Sequence, residues 1–276
     1  MPKVTIAIPT YNRSNFIAES ITSAINQTFT DIEILIVDNN SSDNTKNVVK
    51  SFNDKRISYI KNDINIGMIS NWNKCIEKSK AKYLMILGDD DILLPNFIEE
   101  SLKIFSKHKN LGFTFSHINK VDENGKTLTK WGYKFFPSGL ILGINYLKTT
   151  IRNSCCMTNS SSVLINKKVF NKVGYFESPY ASNTFDLNMW IKIANKFNVF
   201  FINKILSNYR IHKNQITEVH WRRKDRQTGK VGTYLELIGA IALILKKQNS
   251  DNYLTSKLKS INSELSVLLK QLVPEL

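Results

Sequence analysis

Cysteine is scarce in this chain of 276 residues, and its placement excludes two classes of small protein. Of the three cysteines, Cys155 and Cys156 are adjacent and Cys75 stands far from them. This spacing fits neither a disulfide framework nor the paired ligands of a zinc site. We therefore expect ordinary reduced thiols and a fold stabilised by its apolar core, for which 42% hydrophobic residues suffice.

Long hydrophobic runs, internal repeats and a secretion signal are also missing. The longest uncharged apolar run near the carboxyl end, Leu237–Leu245, is too short to cross a bilayer. The amino terminus leads directly into a short apolar segment instead of a signal-peptide hydrophobic region. We therefore predict a cytoplasmic protein, at most peripheral on the inner face of the cell membrane.

Neither of the two common glycine-rich phosphate-binding patterns occurs in the sequence. No G-x-G-x-x-G follows the first apolar run, and G-x-x-x-x-G-K-[ST] is found nowhere. A dinucleotide-binding fold and a P-loop are both disfavoured for this reason. If the protein binds phosphate, a metal ion and side chains must hold it.

Acidic residues are too few to balance the basic ones. The chain has 38 Lys and Arg against 23 Asp and Glu, a formal net charge of +15. Such a surface attracts nucleic acid, anionic lipid or phosphorylated substrates, and the sign does not choose among them. The excess of lysine is equally compatible with the base composition of the source genome.

Apolar runs and helical periodicities alternate along the first half of the chain. The segments between the runs carry apolar residues at helical spacing, as from Phe16 to Asn26. Ser14 and Asp43 stand where helix N-caps are expected. Strands joined through helices by short connections indicate an α/β domain with a mainly parallel sheet. The predicted strands are Val4–Ile8, Ile32–Val37, Ile57–Ile60 and Tyr83–Leu87.

The second half is less regular. A helix is expected at Ile144–Ile151 and another from Asp186, whose neighbours Leu187 and Trp190 would face the core. The predicted strands of this half are Phe113–Val121, Asn159–Ile165 and Phe197–Ile202.

Three of the predicted strand ends are polar: Pro9–Arg13, Asp38–Asp43 and Asp89–Asp91. In open α/β sheets, ligands bind outside the carboxyl ends of the strands. Crowded carboxylates raise each other's pKa, and a divalent cation such as Mg²⁺ or Mn²⁺ removes that conflict. An acidic triplet by itself is also compatible with a solvated turn. Its occurrence together with two other polar strand ends favours a nucleotide-sized pocket.

These motifs, with Asp186 four residues before Trp190 and with Tyr209–His212, resemble the family 2 glycosyltransferases of the GT-A fold over roughly residues 3 to 215. The resemblance implies a nucleotide-binding α/β/α sandwich with a mixed, mainly parallel sheet. It also implies an inverting, metal-dependent transfer of a sugar from a nucleoside diphosphate sugar, with UDP as the expected carrier, to an acceptor hydroxyl.

The resemblance also assigns roles to individual residues. Asp186 matches the catalytic base, and Asp90 matches the ligand of Mn²⁺ or Mg²⁺, with His212 as a further ligand. Asp91 is expected to be structural, and Tyr209 and Arg210 are expected to flank the diphosphate. The residues expected to bind the nucleotide are Pro9, Thr10, Tyr11, Arg13, Asp38, Asn39, Asn65, Gly67 and Asp89.

Three positions depart from the family's pattern. In its D-x-D pattern the first Asp often stands two residues before the main metal ligand, and that place is Gly88 here. Many relatives have a second Asp where Asn39 stands, which puts the choice of uridine in question. The Glu that commonly precedes the catalytic Asp is Phe185 here. A carboxylate raised in pKa by a partly apolar pocket, with Phe185 and Trp190 nearby, suits a general base.

We predict a catalytic domain over residues 1–215, with its nucleotide-sugar half at about 1–110 and its acceptor half at about 111–215. Residues 216–276 form a basic segment and a C-terminal extension of amphipathic helices. The basic stretch Trp221–Arg226 suits peripheral contact with an anionic membrane surface and a lipid-linked acceptor. The helical apolar seam packs on the domain, mediates homo-oligomerisation or lies on a membrane. Its members are Leu254, Leu258, Ile261, Leu265, Leu268 and Leu272.

The leading hypothesis is therefore an enzyme of surface-glycan assembly (capsule, lipopolysaccharide or a similar polysaccharide) with a nucleotide-sugar donor and a glycan or lipid-linked glycan acceptor. One alternative is a nucleotidyltransferase, which would need a glycine-rich phosphate loop after the first strand. The other is a non-catalytic nucleic-acid-binding protein, which would leave the acidic triplet unexplained.

Overall fold

The computed structural model describes residues 1–131, 135–153, 158–177, 185–213, 215, 234–235, 237–242 and 252–272. The basic stretch Trp221–Arg226 lies outside the described residues. Among those residues, none of the helices combines the length and the apolar composition that a membrane span requires.

Strands and helices alternate in the first half, as the apolar runs predict. The strands β1, β2 and β4 are buried along their whole length, because a mainly parallel sheet is covered on both faces. The elements are β1 Val4–Thr10, α1 Ile17–Ile25, β2 Ile32–Asp38, α2 Thr45–Lys50, β3 Ile57–Lys61, α3 Met68–Lys78 and β4 Tyr83–Ile86.

Neither predicted N-cap residue occupies the cap position. Asp43 Oδ1 accepts the N–H of Thr45 at the start of α2 (3.0 Å), but Asn44 is the cap residue of this helix. The cap at Ser14 is wrong: its N–H donates to Asp43 (3.0 Å), and α1 begins three residues later at Ile17.

The second half contains three short strands that the sequence did not predict, β5, β7 and β8. Two to five residues are too few to show a periodicity. The predicted strand Asn159–Ile165 starts only at Val163, because Ser160–Ser162 form a 3₁₀ turn. The elements are β5 Ile92–Leu93, α4 Phe97–Lys107, β6 Leu111–Val121, β7 Thr127–Trp131, β8 Gly139–Ile141, α5 Gly143–Asn153, β9 Val163–Asn166, α6 Phe170–Val173, α7 Phe185–Ala194, β10 Asn198–Arg210 and a C-terminal helix Asn252–Leu272.

The strands form one mixed sheet in the order β3-β2-β1-β4-β9-β6-β10-β5, with β7 beside β6 and β8 beside β10. The pairs β1–β2, β1–β4, β2–β3 and β6–β10 are parallel. The strand β9 is antiparallel to both β4 and β6, so β6 and β10 run in the same direction as β4. The carboxyl ends of β1, β2, β4, β6 and β10 therefore share one edge of the sheet.

Each face of the sheet has its own apolar core. The predicted inward face of α7 is confirmed, since Leu187 and Trp190 are buried. The C-terminal helix contacts the same core through Ile261, which is fully buried, and Leu258. The side chains of the other seam residues lie outside the described part of the chain. The two described contacts favour packing of the helix on its own domain.

Candidate active site

The loops after β1, β2 and β4 lie side by side because their strands are neighbours in the sheet. Pro9 and Thr10 close β1, and Thr10 stands opposite Asp38, the last residue of β2. Beyond β4, Gly88 begins the acidic turn. All three polar strand ends predicted from the sequence therefore meet at one edge.

The loop after β1 is tied to the loop after β2. Asn12 donates its N–H to Ser41 Oγ (2.8 Å) and accepts the N–H of Ser42 through Oδ1 (2.8 Å). The N–H of Arg13 donates to Thr45 Oγ1 (3.1 Å). Asn12 has a positive φ of 52°, a conformation that asparagine tolerates better than most residues. These bonds fix the backbone of the predicted nucleotide loop.

The acidic turn is anchored through Asp91. Its side chain accepts bonds from Ser161 Oγ (2.5 Å) and from the backbone N–H of Arg210 (3.0 Å). Its carbonyl accepts a bond from Ser20 Oγ (2.7 Å). An added Cβ at Gly88 would lie 2.9 Å from Asp91 Oδ2, so the turn requires glycine there. Burial raises the pKa of the Asp91 carboxyl. Asp91 is thus positioned to hold the turn.

Asp89 is held by the nucleotide loop. Arg13 Nε lies 3.6 Å from its Oδ1, and the backbone N–H of Tyr11 donates to its Oδ2 (3.4 Å). Burial and then the charge of Asp90 raise the pKa of Asp89 to about 7, against the opposing effect of Arg13. The side chain of Tyr11 remains 46% exposed, beside this pair.

Asp90 and His212 come together from opposite ends of the sequence. His212 follows β10, whose carboxyl end lies at the same edge as that of β4, and its Nε2 lies 2.9 Å from Asp90 Oδ2. The imidazole is buried, and its ring centre lies 4.5 Å from that of Phe16. The backbone N–H of His212 donates to Gln215 Oε1 (3.1 Å).

A carboxylate and an imidazole in contact fit a divalent cation. Within the described part of the chain, no group of three or more His, Cys, Asp or Glu side chains is arranged to hold one. Mg²⁺ commonly binds through only one or two carboxylates, with substrate phosphates and water as the other ligands. The residues present therefore suit an ion whose coordination is completed by a diphosphate.

Asp38, predicted to bind the nucleotide, is fully buried. Its Oδ1 accepts the N–H of Ser41 (2.7 Å), and its Oδ2 accepts the hydroxyl of Tyr59 (2.5 Å). Burial and this bond raise the pKa of Tyr59. Both oxygens of Asp38 therefore bond to the protein itself.

Asn39 belongs to a set of bonded amides. Its Nδ2 donates to Asn65 Oδ1 (2.8 Å), and its Oδ1 accepts from Asn62 Nδ2 (3.1 Å) and from the N–H of Ile66 (2.9 Å). Asn65 is exposed and also accepts the N–H of Gly67 (2.9 Å), whose φ is +83°. The structure thus brings Asn39, Asn65 and Gly67 together, with Asn65 on the surface.

Arg210, predicted to flank the diphosphate, is turned inward instead. It is 1% exposed, and its guanidinium donates to Glu19 and to the carbonyls of Asp90 and Glu123. A diphosphate would have to displace these bonds, so the prediction is wrong for Arg210.

Asp186 lies in the first turn of α7, as predicted. Its Oδ1 accepts the N–H of Leu187 (2.7 Å). Burial raises the pKa of Asp186 to about 6, with this bond acting in the opposite direction. The buried ring of Phe185, the preceding residue, packs edge-on at 4.8 Å against Trp72 of α3.

The segment 158–162 connects α7 to the acidic turn. Trp190, one helical turn beyond Asp186, donates Nε1–H to the carbonyl of Thr158 (3.0 Å). Ser161 bonds to Asp91 and accepts the N–H of Gly88 (3.0 Å). Ser161 was not among the predicted site residues; the polar run Asn159–Ser162 before an apolar stretch is its only signal in the sequence.

A mixed sheet of this order, with polar loops, an acidic turn and a histidine at its carboxyl edge, is typical of the GT-A fold. S. aureus TarS in complex with UDP-GlcNAc has the same fold, with a TM-score of 0.69 over 98% of this chain and 73% of that chain, at 16% identity. A mannosyltransferase from Pyrobaculum calidifontis in complex with GDP-Man and Mn²⁺ matches with a TM-score of 0.59 over 96% of this chain and 70% of that one, at 12% identity.

The family model described as glycosyl transferase family 2 matches residues 5–173, and the chain belongs to this family. An uncharacterised glycosyltransferase of Methanocaldococcus jannaschii is 32% identical over 76% of this chain and 71% of its own length. The Escherichia coli UDP-Glc:α-D-GlcNAc-diphosphoundecaprenol β-1,3-glucosyltransferase WfgD is 26% identical over 90% of this chain and 96% of its own length. The predicted family, fold and enzyme class are confirmed.

Proposed function

We propose that this glycosyltransferase moves a sugar from a UDP-sugar, with inversion, to a hydroxyl of a lipid-linked or other glycan in cell-surface polysaccharide synthesis. The E. coli relative, named for a UDP-glucose donor and a diphosphoundecaprenol acceptor, supports this choice. The observation that carries the proposal is the contact of Asp90 with His212 beside the nucleotide loop, at the edge where β1, β2 and β4 end.

Three groups of residues have separate roles in this proposal: the nucleotide loop, the base contacts and the cation ligands. Pro9, Thr10 and Tyr11 form the backbone of the nucleotide loop, and Arg13 and Asp89 stabilise it through their ion pair. Asn39, Asn65 and Gly67 contact the base, while Asp38 supports their loop from within. Asp90 and His212 hold the cation. The proposal keeps a nucleotide-sugar half at about 1–110 within a catalytic domain of 1–215.

A bound Mn²⁺ or Mg²⁺ would stabilise the negative charge on the departing diphosphate. The protein supplies the base: the Asp186 carboxylate takes the proton of the acceptor hydroxyl as the oxygen attacks the anomeric carbon. Burial keeps the carboxyl only partly hydrated, and a pKa of about 6 makes it a stronger base than an ordinary aspartate.

The net charge is compatible with the proposed acceptor and site of action. A net charge of +15 suits peripheral contact with the anionic inner face of the cell membrane, where a lipid-diphosphate acceptor would be found. Family membership argues against the alternatives of a nucleotidyltransferase and a nucleic-acid-binding protein.

A thermal-shift screen of UDP-, GDP- and CDP-sugars, with MnCl₂ or with EDTA, tests the donor and the metal. We expect a UDP-sugar with Mn²⁺ to raise the melting temperature most, because ligand binding to the native state stabilises it by mass action. A larger shift with a GDP- or CDP-sugar would reject the choice of base. Equal shifts in MnCl₂ and in EDTA would reject the metal requirement.

A further inference from the structure

Arg210 is a buried charge whose position needs a physical explanation. Its side chain is fully buried at the end of β10, two residues before His212. Burying a guanidinium is costly unless an opposite charge and hydrogen bonds compensate for the lost hydration. The contacts of Arg210 meet this requirement, and all of them lie around the proposed metal ligands.

The guanidinium joins three separate elements. Its Nη2 donates to Glu19 Oε2 of α1 (2.7 Å), its Nε to the carbonyl of Asp90 (2.9 Å), and its Nη1 to the carbonyl of Glu123, in the turn after β6 (2.5 Å). The backbone N–H of the same residue donates to Asp91 (3.0 Å). Arg210 thus holds the acidic turn both through its side chain and through its main chain.

Phe16 extends this cluster to the second ligand. Its ring centre lies 5.3 Å from the guanidinium of Arg210 and 4.5 Å from the ring of His212. The imidazole therefore packs against the same residue that covers the guanidinium. Asp90 and His212, which are 122 residues apart in sequence, are both fixed by contacts that begin at Arg210.

We propose that Arg210 and its partner Glu19 are positioning residues for the cation site: they hold Asp90 and His212 in the geometry that coordinates the ion. This inference rests on the proposed function, which makes Asp90 and His212 the ligands. The planar guanidinium directs its N–H groups to Glu19, Asp90 and Glu123 at once, which a lysine ammonium on a flexible stem cannot reproduce. Neither Arg210 nor Glu19 touches the nucleotide in this proposal.

Two substitutions test the proposal with different risks to folding. Arg210→Lys keeps a charge near Glu19 but loses the directed bonds to the carbonyls. Glu19→Gln changes only the charge of a half-exposed side chain and keeps an acceptor oxygen for Arg210. The control is Glu100→Gln, which removes another ion-paired carboxylate, 19% exposed and paired with Lys204 and Lys103, away from the site.

The measurement is a Mn²⁺ titration followed by electron paramagnetic resonance, with and without UDP, together with UDP binding in EDTA. We expect Arg210→Lys to weaken Mn²⁺ binding by about 10- to 100-fold, the usual effect of losing a partner outside the ligand shell. Glu19→Gln should weaken it severalfold, and Glu100→Gln not at all. UDP binding in EDTA should be unchanged in every variant. A general loss of structure would weaken UDP binding as well, so this measurement distinguishes it from a local effect on the cation site.

The failures of the two proposals give different results. If the wild type binds Mn²⁺ and both variants bind it equally well, the positioning role is overturned and the proposed function stands. If the wild type binds no Mn²⁺ with or without UDP, the metal requirement fails and the positioning role fails with it. If Arg210→Lys does not fold, Glu19→Gln decides the question by itself.

Discussion

Replacing Asp186 with asparagine should abolish turnover and at the same time stabilise the fold above neutral pH. The carboxyl has its pKa raised from 3.8 to about 6 by burial. A difference of about two pKa units corresponds to about 3 kcal/mol of preference for the neutral form in the folded state. Asparagine is neutral and keeps the oxygen that accepts the N–H of Leu187, so it escapes this penalty.

The pH dependence follows from the direction of the shift. The folded state retains the proton of Asp186 to higher pH than the unfolded state, so the unfolded state binds fewer protons between about pH 4 and pH 6. The free energy of unfolding of the wild type therefore falls as pH rises through this window. Asp186→Asn should therefore increase the free energy of unfolding by about 3 kcal/mol at pH 7.5 and by about 1 kcal/mol at pH 4.5. These values are upper limits, because the group is partly exposed.

Two assays separate these effects. Urea unfolding at pH 4.5 and at pH 7.5 measures stability, and release of UDP measures turnover. In the wild type, kcat/KM should rise with pH up to about 6 and then level off, because the base must be ionised. Glu177→Gln is the control: this exposed carboxylate pairs with Lys192 of α7, and its loss should change stability by less than about 1 kcal/mol.

Two results would refute this reasoning. Turnover in Asp186→Asn equal to that of the wild type would reject the base assignment. A stabilisation of equal size at both pH values would show that the gain does not come from the titration of this carboxyl.

Three further substitutions test other parts of the site. Asn39→Asp places a carboxylate oxygen 2.8 Å from Asn65 Oδ1, and it should lower the free energy of unfolding in urea by about 1–3 kcal/mol. Unchanged stability would contradict this and would show that the Asn65 amide group flips to donate to the new carboxylate. Gly88→Ala should lower the free energy of unfolding by about 1–3 kcal/mol and weaken Mn²⁺ binding, because the new Cβ contacts the fixed side chain of Asp91. A Mn²⁺ titration by electron paramagnetic resonance that matches the wild type would contradict this. Asn73→Ala removes two hydrogen bonds between the Asn73 side chain and the backbone of Phe176 (both 2.9 Å). Because these bonds connect α3 to the chain that leads to Asp186, kcat should fall while the KM for the donor changes less. An unchanged kcat would contradict this prediction.

The regular part of the fold was predictable because burial leaves a pattern in the sequence. The strands β1, β2 and β4 are apolar throughout since both sheet faces are covered, and α1, α3 and α4 show helical spacing. The short strands β5 and β8 pair with β10, which is distant in sequence, while β7 pairs with β6 across the turn at 122–126. Such strands are stabilised by their partners, and no local pattern is needed to specify them.

The location of the site was predictable for a similar reason, while the direction of its side chains was not. Polar residues at the ends of parallel strands mark the edge where ligands bind, and the structure brings these ends together. Whether a motif residue faces the ligand or the protein depends on partners elsewhere in the chain. Arg210 turns inward because its guanidinium donates to the Glu19 carboxylate and to the Glu123 carbonyl. Neither residue belongs to the motif of Arg210, Tyr209–His212.

The division between inward and outward residues has a general cause. A loop at a strand end contains backbone N–H and C=O groups that the sheet no longer pairs, and these must be satisfied before the loop is rigid. Asp38 and Asp91 accept such N–H groups, and Arg210 donates to such carbonyls. The side chains that remain exposed, Tyr11 and Asn65, are then held by a backbone already fixed from within. The strand-end motifs of this chain therefore combine buried residues that build the loop with exposed residues that are free to contact a ligand, and burial distinguishes the two.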